Sequence, residues 1–327
     1  MAQPDIQLLQ GGLGKLPSWP EFIKVNANMR EPTSFDEWIQ QGLYYMKRDF
    51  GPEWERRYDR LLYHRYVYRA DNCGMTMLGV LRAATDSHER RFPFTAYYLV
   101  PTVALDSNPG LVSNLMDVLF DPLEALIEEV AELPHINAIK KRLDMSYDVS
   151  PPPANLEARY QTFLDEVTCG ELGAFAGSNV YHMLTELVTT LPGAGSQPRA
   201  FQAVLQLPLE QPPFARGLEV RFWLELILLL LDWYPPTLTY FWQSGRPAPR
   251  QASLLVCFKQ PAAYLMPELI NDGSVLIKGV WRPGLQQTFP GGAACRGALK
   301  VGADSTLRQL LLSVNPGYPY ACRWYNG

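Results

Sequence analysis

The stretch MTMLGVLRAATDSHERRFPFTAYYLVP, residues 75–101, decides the fold. Its two ends, residues 75–81 and 92–100, read as strands. Both are dense in apolar, aromatic and β-branched side chains, which suit a buried pleated surface. Pro101 closes the second strand. The polar, charged segment 82–91 between them reads as a loop or short helix at the edge of a sheet. Upstream, residues 62–68 read as another strand, and residues 6–13 as a short one that runs into Gly11-Gly12-Leu13-Gly14.

Helical spacing fills the gaps between strands. Ser34 can cap a helix, with Glu37 three residues on completing a capping box. Phe35, Trp38, Ile39, Leu43 and Met46 then share one face and point to a core. A second helix is expected from Pro52. Residues 109–133 are helical in pattern, and Asp121-Pro122 is expected to divide them by capping a new helix. Residues 135–145 read as a further helical piece. Ser150-Pro151-Pro152-Pro153 is the clearest break in the chain.

Beyond that break, 156–167, 179–191, 218–233 and 262–270 read as helices. Residues 199–207, 237–242, 252–258 and 274–281 read as strands. Strands separated by helices predict an α/β fold, a layered sheet flanked by helices with a larger mixed α/β C-terminal part. The expected divisions are an N-terminal α/β domain over 1–150, a C-terminal α/β part over 151–281 with the same layered organisation, and a Gly/Pro-rich extension over 282–327. Within the extension only 305–312 is amphipathic.

The chain has 327 residues, 47% hydrophobic and 19% charged, with net charge −4. It can bury one large core or two smaller ones, and its acidic balance speaks weakly against a nucleic-acid partner. Five cysteines, Cys73, Cys169, Cys257, Cys295 and Cys322, form no CxxC pair, so reduced thiols are expected rather than disulfides or zinc. Residues 1–10 carry no apolar run of secretory-signal type, and the greasiest run, 224–231, is too short to span a membrane. A cytoplasmic location follows as the expectation.

Chemical motifs are scarce. Gly11-Gly12-Leu13-Gly14-Lys15 is not a Walker loop, because Leu9 and Leu16 stand where the first glycine and the hydroxyl should be. Asp86, Ser87 and His88 are consecutive, whereas a triad is assembled from separated positions. His64, His135 and His182 have no partner at metal-ligand spacing. No catalytic residue, cofactor site or metal site is therefore expected. An enzymatic alternative, a hydrolase or transferase, would use a pocket near Asp86, His88 and Cys73. Tyr44, Tyr45, Tyr63, Tyr66 and Tyr68 could form an interaction surface or the edge of a core.

Several elements fall in an order that resembles the TagF family, also called ImpM, accessory proteins of the bacterial type VI secretion apparatus. Gly14-Lys15-Leu16-Pro17-Ser18 leads to Glu21-Phe22. Phe35, Trp38 and Leu43 follow on a helix. Then come Gly79-Val80-Leu81, Asp86 and Arg90-Arg91-Phe92-Pro93-Phe94. The chain departs from the family at Pro20 and Glu21, at Ala83 and Ala84 where a Pro-Ser pair is usual, and at Glu89 where a glycine is usual. The resemblance is strongest over residues 6 to 101, with weaker likeness at 236–242 and 254–257.

The resemblance implies a cytoplasmic, non-enzymatic α/β protein. It also implies post-translational control of secretion-system assembly through binding a forkhead-associated-domain scaffold protein. The residues it nominates are Gly14, Lys15, Pro17, Phe22, Trp38, Asp86, Arg90, Phe92 and Pro93. Asp86 and Arg90 either pin the loop as an ion pair or face a partner.

Overall fold

The computed structural model describes residues 7–107, 110–148, 155–173, 179–195, 204–210, 213–231, 238–244, 252–270, 280–282, 301–316 and 318. The elements in chain order begin with β1 (Gln7–Gly14), β2 (Ile23–Val25), α1 (Arg30–Phe50), α2 (Trp54–Tyr58), β3 (His64–Tyr68), β4 (Met75–Arg82) and β5 (Phe94–Pro101). Next come α3 (Thr102–Ser107), α4 (Gly110–Glu132), α5 (Ile136–Leu143), β6 (Ser146–Asp148), α6 (Leu156–Glu166) and α7 (Val180–Gly195). Then follow β7 (Val204–Leu209), α8 (Pro213–Leu231), β8 (Thr239–Gln243), β9 (Ala252–Cys257), a 3-10 helix (Ala263–Ile270), β10 (Val280–Trp281) and α9 (Leu307–Val314).

Among the described residues, ten strands join in one sheet, in the order β10-β7-β9-β8-β3-β4-β5-β1-β2, with β6 also paired to β1. Neighbours are antiparallel apart from β7 and β10. The expected layered α/β sheet flanked by helices is what the chain forms. Hydrogen bonding runs without a break from the N-terminal strands into the C-terminal ones, because β3 pairs with β8.

Each face of the sheet is covered. Met77 and Leu81 of β4 point to the layer made by α1 and the 3-10 helix, where Phe35, Trp38, Phe241 and Met266 are buried. Leu78 and Val80 point the other way, to α4 and α6–α9. Gly79 lies between them because Tyr66 crosses it. A Cβ there would sit 2.2 Å from the Tyr66 hydroxyl, which bonds Thr95 Oγ1 at 2.7 Å on the far side.

Two expected helix boundaries are overturned by tertiary contacts. Helix α1 starts at Arg30, not behind a Ser34 cap. Pro32 falls in its first turn, where a missing N–H costs little. The Glu31 side chain is drawn to the Met75 amide at 2.9 Å. Ser34 lies inside the helix, and its hydroxyl shares a hydrogen bond with that of Tyr68 at 2.9 Å.

Helix α4 runs through Pro122 without dividing. Leu119, Phe120, Leu123, Leu126, Ile127 and Val130, on both sides of the proline, are buried. That shared burial holds the two halves in one line against the roughly 3 kcal/mol an interior proline costs. The proline leaves the Val118 carbonyl without its helical donor, and the Tyr147 hydroxyl of β6 donates to it instead at 3.3 Å.

The second strand of the opening stretch starts at Phe94 rather than residue 92. The amphipathic piece in the tail is helix α9, capped by Thr306 with Gln309 reciprocating. The expected breaker at 150–153, the strand starts at 199–203 and 274–279, and most of 282–327 lie outside the described residues.

Candidate functional site

The nominated motif residues, with one exception, meet at one end of the sheet. Strand β1 ends at Gly14, whose φ of +126° and closeness to β5 both demand glycine. A Cβ there would lie 2.1 Å from the Pro93 carbonyl oxygen. That close approach carries Lys15 alongside the β4–β5 loop. Leu16 anchors the turn in the core, and Pro17 is left exposed.

The β4–β5 loop is a hairpin end built around Asp86. The Phe92 amide donates to the Ala84 carbonyl at 3.1 Å, and the Glu89 amide to the Asp86 carbonyl at 2.9 Å. Glu89 takes a left-handed φ of +60°. The Asp86 Oδ1 accepts the amides of His88 (2.9 Å) and Arg90 (3.0 Å), the pattern of an aspartate-closed turn. Its Oδ2 accepts from Lys15 Nζ at 2.6 Å and Arg90 Nε at 2.7 Å. The same guanidinium reaches on to the Pro20 carbonyl.

Phe22 packs edge-on against Phe92, with centroids 4.8 Å apart. From below, the Tyr58 hydroxyl of α2 both accepts the Ala84 amide and donates to the Ala84 carbonyl. Arg91 pairs with Glu55 and Asp59. The whole is a clasp tying the β1–β2 connection, the β4–β5 hairpin and α2 together.

The charge on Asp86 belongs to this clasp. Burial alone would raise its pKa. The Lys15 ammonium, the two backbone amides and Arg90 overcome that and hold the carboxyl well below the usual carboxylate range. Its side chain is fully enclosed, while that of Arg90 is 58% exposed. Asp86 is thus an internal pin. The outward surface of the motif is Pro17, Glu21, half-buried Phe22 and Arg90.

Trp38 is the exception. It is buried in α1, stacks between Phe35 and Phe241, and donates its indole N–H to the Ala262 carbonyl at 3.1 Å. It fastens the N-terminal strands to the C-terminal ones.

Cys73 is not brought to Asp86 and His88. Cys73 precedes β4 and Asp86 follows it, so a strand length of roughly 25 Å separates them. Burial and the nearby Glu31 carboxylate raise the Cys73 thiol, the reverse of activation. His64 is enclosed in β3, its Nδ1 donating to the Leu62 carbonyl at 2.9 Å, and burial lowers its pKa to about 4. Tyr66 and Tyr68 are core residues, whereas Tyr44 is 64% exposed. Cys73, Cys169 and Cys257 are free thiols. Among the described residues, no cluster of three or more His, Cys, Asp or Glu is placed to hold a metal ion. None of the described helices is long and apolar enough to cross a membrane.

Local spacing pairs Asp86 with Arg90 but gives no sign of Lys15, which reaches Asp86 only through the pairing of β1 with β5. The same holds for Arg65, which bonds Glu124 of α4 at 2.7 Å and also meets Asp121. It holds again for Arg82, which meets Tyr63 and Glu128.

A mixed α/β sheet protein, its N-terminal hairpin locked by a buried aspartate, is the class these features define. Residues 11–145 match the family described as TagF N-terminal domain, Type VI secretion system-associated. Over that stretch, somewhat under half of its length, the chain is similar to the N-terminal domain of type VI secretion system-associated TagF proteins. The match reaches past the hairpin through α4 and α5. No curated protein matches the chain. The crystal structure of PA0076 from Pseudomonas aeruginosa PAO1 is similar over 82% of this chain and 96% of that one, at 14% identity and a TM-score of 0.44.

Proposed function

We propose that this chain is a cytoplasmic regulator of type VI secretion that acts after translation. It binds a forkhead-associated-domain scaffold or another assembly component and makes or breaks no covalent bond. The similarity to the TagF N-terminal domain over residues 11–145 carries the reading. The enclosed, fully paired state of Asp86 supports a motif kept for shape, with Phe22 and Arg90 as the surface it offers. Aromatic and arginine side chains of that kind are common anchors in protein interfaces.

The test is genetic and optical. In a host with a working apparatus, deletion or overproduction of the chain should change the number of assembled sheaths seen by fluorescence, with transcript levels unmoved. Sheath counts unchanged in both strains would count against the reading.

A further inference from the structure

Strands β2 and β6 lie end to end along β1. Ile23–Val25 pairs with Gly12–Gly14, and Ser146–Asp148 pairs with Gln7–Leu9. Among the described residues no strand covers their outer sides. Each strand has three residues, so they leave two short groups of outward backbone donors and acceptors on either side of the Asn26 turn, where the Tyr97 hydroxyl already holds the Val25 and Asn26 carbonyls at 3.2 Å, and these two groups are a template for a further strand.

Between the two strand ends is a cavity of about 300 Å³ lined by Lys24, Val25, Asn26, Lys140, Lys141 and Asp144. Asn26 turns the chain out of β2 at a φ of +53°. Its amide donates to the Gln10 carbonyl at 2.6 Å and to the Asp144 carboxylate at 2.9 Å, so the acidic group in the cavity is already engaged. Lys140 and Lys141, in the last turn of α5, are exposed and make no side-chain ion pair among the described residues. This basic rim stands on a chain whose net charge is −4. A lysine on an edge strand ordinarily repels other strands. Lys24 is instead drawn over α1 by Asp36 at 2.8 Å. Two large apolar side chains, Leu9 and Met145, are exposed beside the same edge.

We infer that this composite edge docks an extended acidic segment of a partner protein by strand addition. The partner's backbone extends the sheet, its carboxylates meet Lys140 and Lys141, and an apolar residue covers Leu9 and Met145. Main-chain pairing supplies affinity in this mode, and the side-chain pockets supply selectivity. The inference rests on the reading of the chain as a docking protein and names the surface it would use.

The test uses the full-length protein and a short labelled peptide of alternating valine and glutamate, followed by fluorescence anisotropy. Saturable binding is expected, weakened by added salt and by about tenfold or more in the double variant Lys140→Glu/Lys141→Glu. Both lysines are exposed but lie in the last turn of α5, so the charge reversal should lower the melting temperature slightly without unfolding the protein. Hydrogen exchange should show new protection at residues 23–26 and 144–148. No saturable binding, equal binding by the variant, protection elsewhere, or equal binding of single-stranded DNA or anionic vesicles would each overturn the inference. A second arm compares retention of secretion-system proteins by both forms. Equal retention defeats the edge while leaving the regulatory reading standing. If the wild-type chain retains none, the regulatory reading fails, and the peptide result alone decides the edge.

Discussion

Asp86 is the residue on which the clasp turns. Its carboxylate satisfies two backbone amides and two cations at once, so its removal leaves several donors without an acceptor. Asp86→Ala should lower stability by about 2–3 kcal/mol, read as a drop in the urea midpoint. The pH dependence has a definite sign. The folded pKa lies below the unfolded value of about 3.9, so the contribution is present above that pH and fades as pH falls below it. Asp86→Asn should therefore flatten the acid limb of the stability curve. Glu89 gives the opposite case. It holds a left-handed conformation where the related family has glycine, at a cost of roughly 1–2 kcal/mol to a residue with a Cβ. Glu89→Gly should raise stability by about 0.5–1 kcal/mol once glycine's greater chain entropy is set against the relief. A lowered melting temperature would contradict this.

Among the elements, α4 shows how a local rule yields to burial. Proline at position 122 removes the donor for the Val118 carbonyl, and Tyr147 restores one from β6. Tyr147→Phe should cost about 1 kcal/mol in the native chain. In a Pro122→Ala background the helix supplies its own amide, and the same change should cost almost nothing. Equal costs in both backgrounds, measured by a double-mutant cycle, would show the two groups to be uncoupled. Asp121-Pro122 reads as a helix start because capping is a local signal. The apolar stripe that overrides it is also in the sequence, but its weight depends on a sheet face built from distant strands. Ser34 misleads for the same reason: its hydroxyl is claimed by Tyr68, 34 positions on. Residues 75–81 and most of 92–100 were legible because apolar, aromatic and β-branched composition is a property of the strand itself. Lys15 was not legible as a partner of Asp86, because only strand pairing brings them together. The β2–β6 edge has no sequence signature either, since each strand has just three residues.

At the scale of the molecule, the N-terminal strands are completed by C-terminal ones. Strand β3 is covered by β8, and the Phe35–Trp38 stack is closed by Phe241 and the Ala262 carbonyl. A chain cut after residue 150 would expose an apolar, unpaired edge. It should aggregate or self-associate in size-exclusion chromatography. A stable monomer with a cooperative melt would contradict that dependence. A continuous sheet also explains how a motif at one end can be held in fixed shape while its outer side chains remain available for docking.

The most direct measurement is affinity purification of the full-length chain, tagged and expressed at its native level, from cells whose type VI apparatus is assembled, followed by mass spectrometry. The account predicts enrichment of a forkhead-associated-domain protein or another assembly component over a tag-only control. Repeated purification with no apparatus component enriched would contradict it.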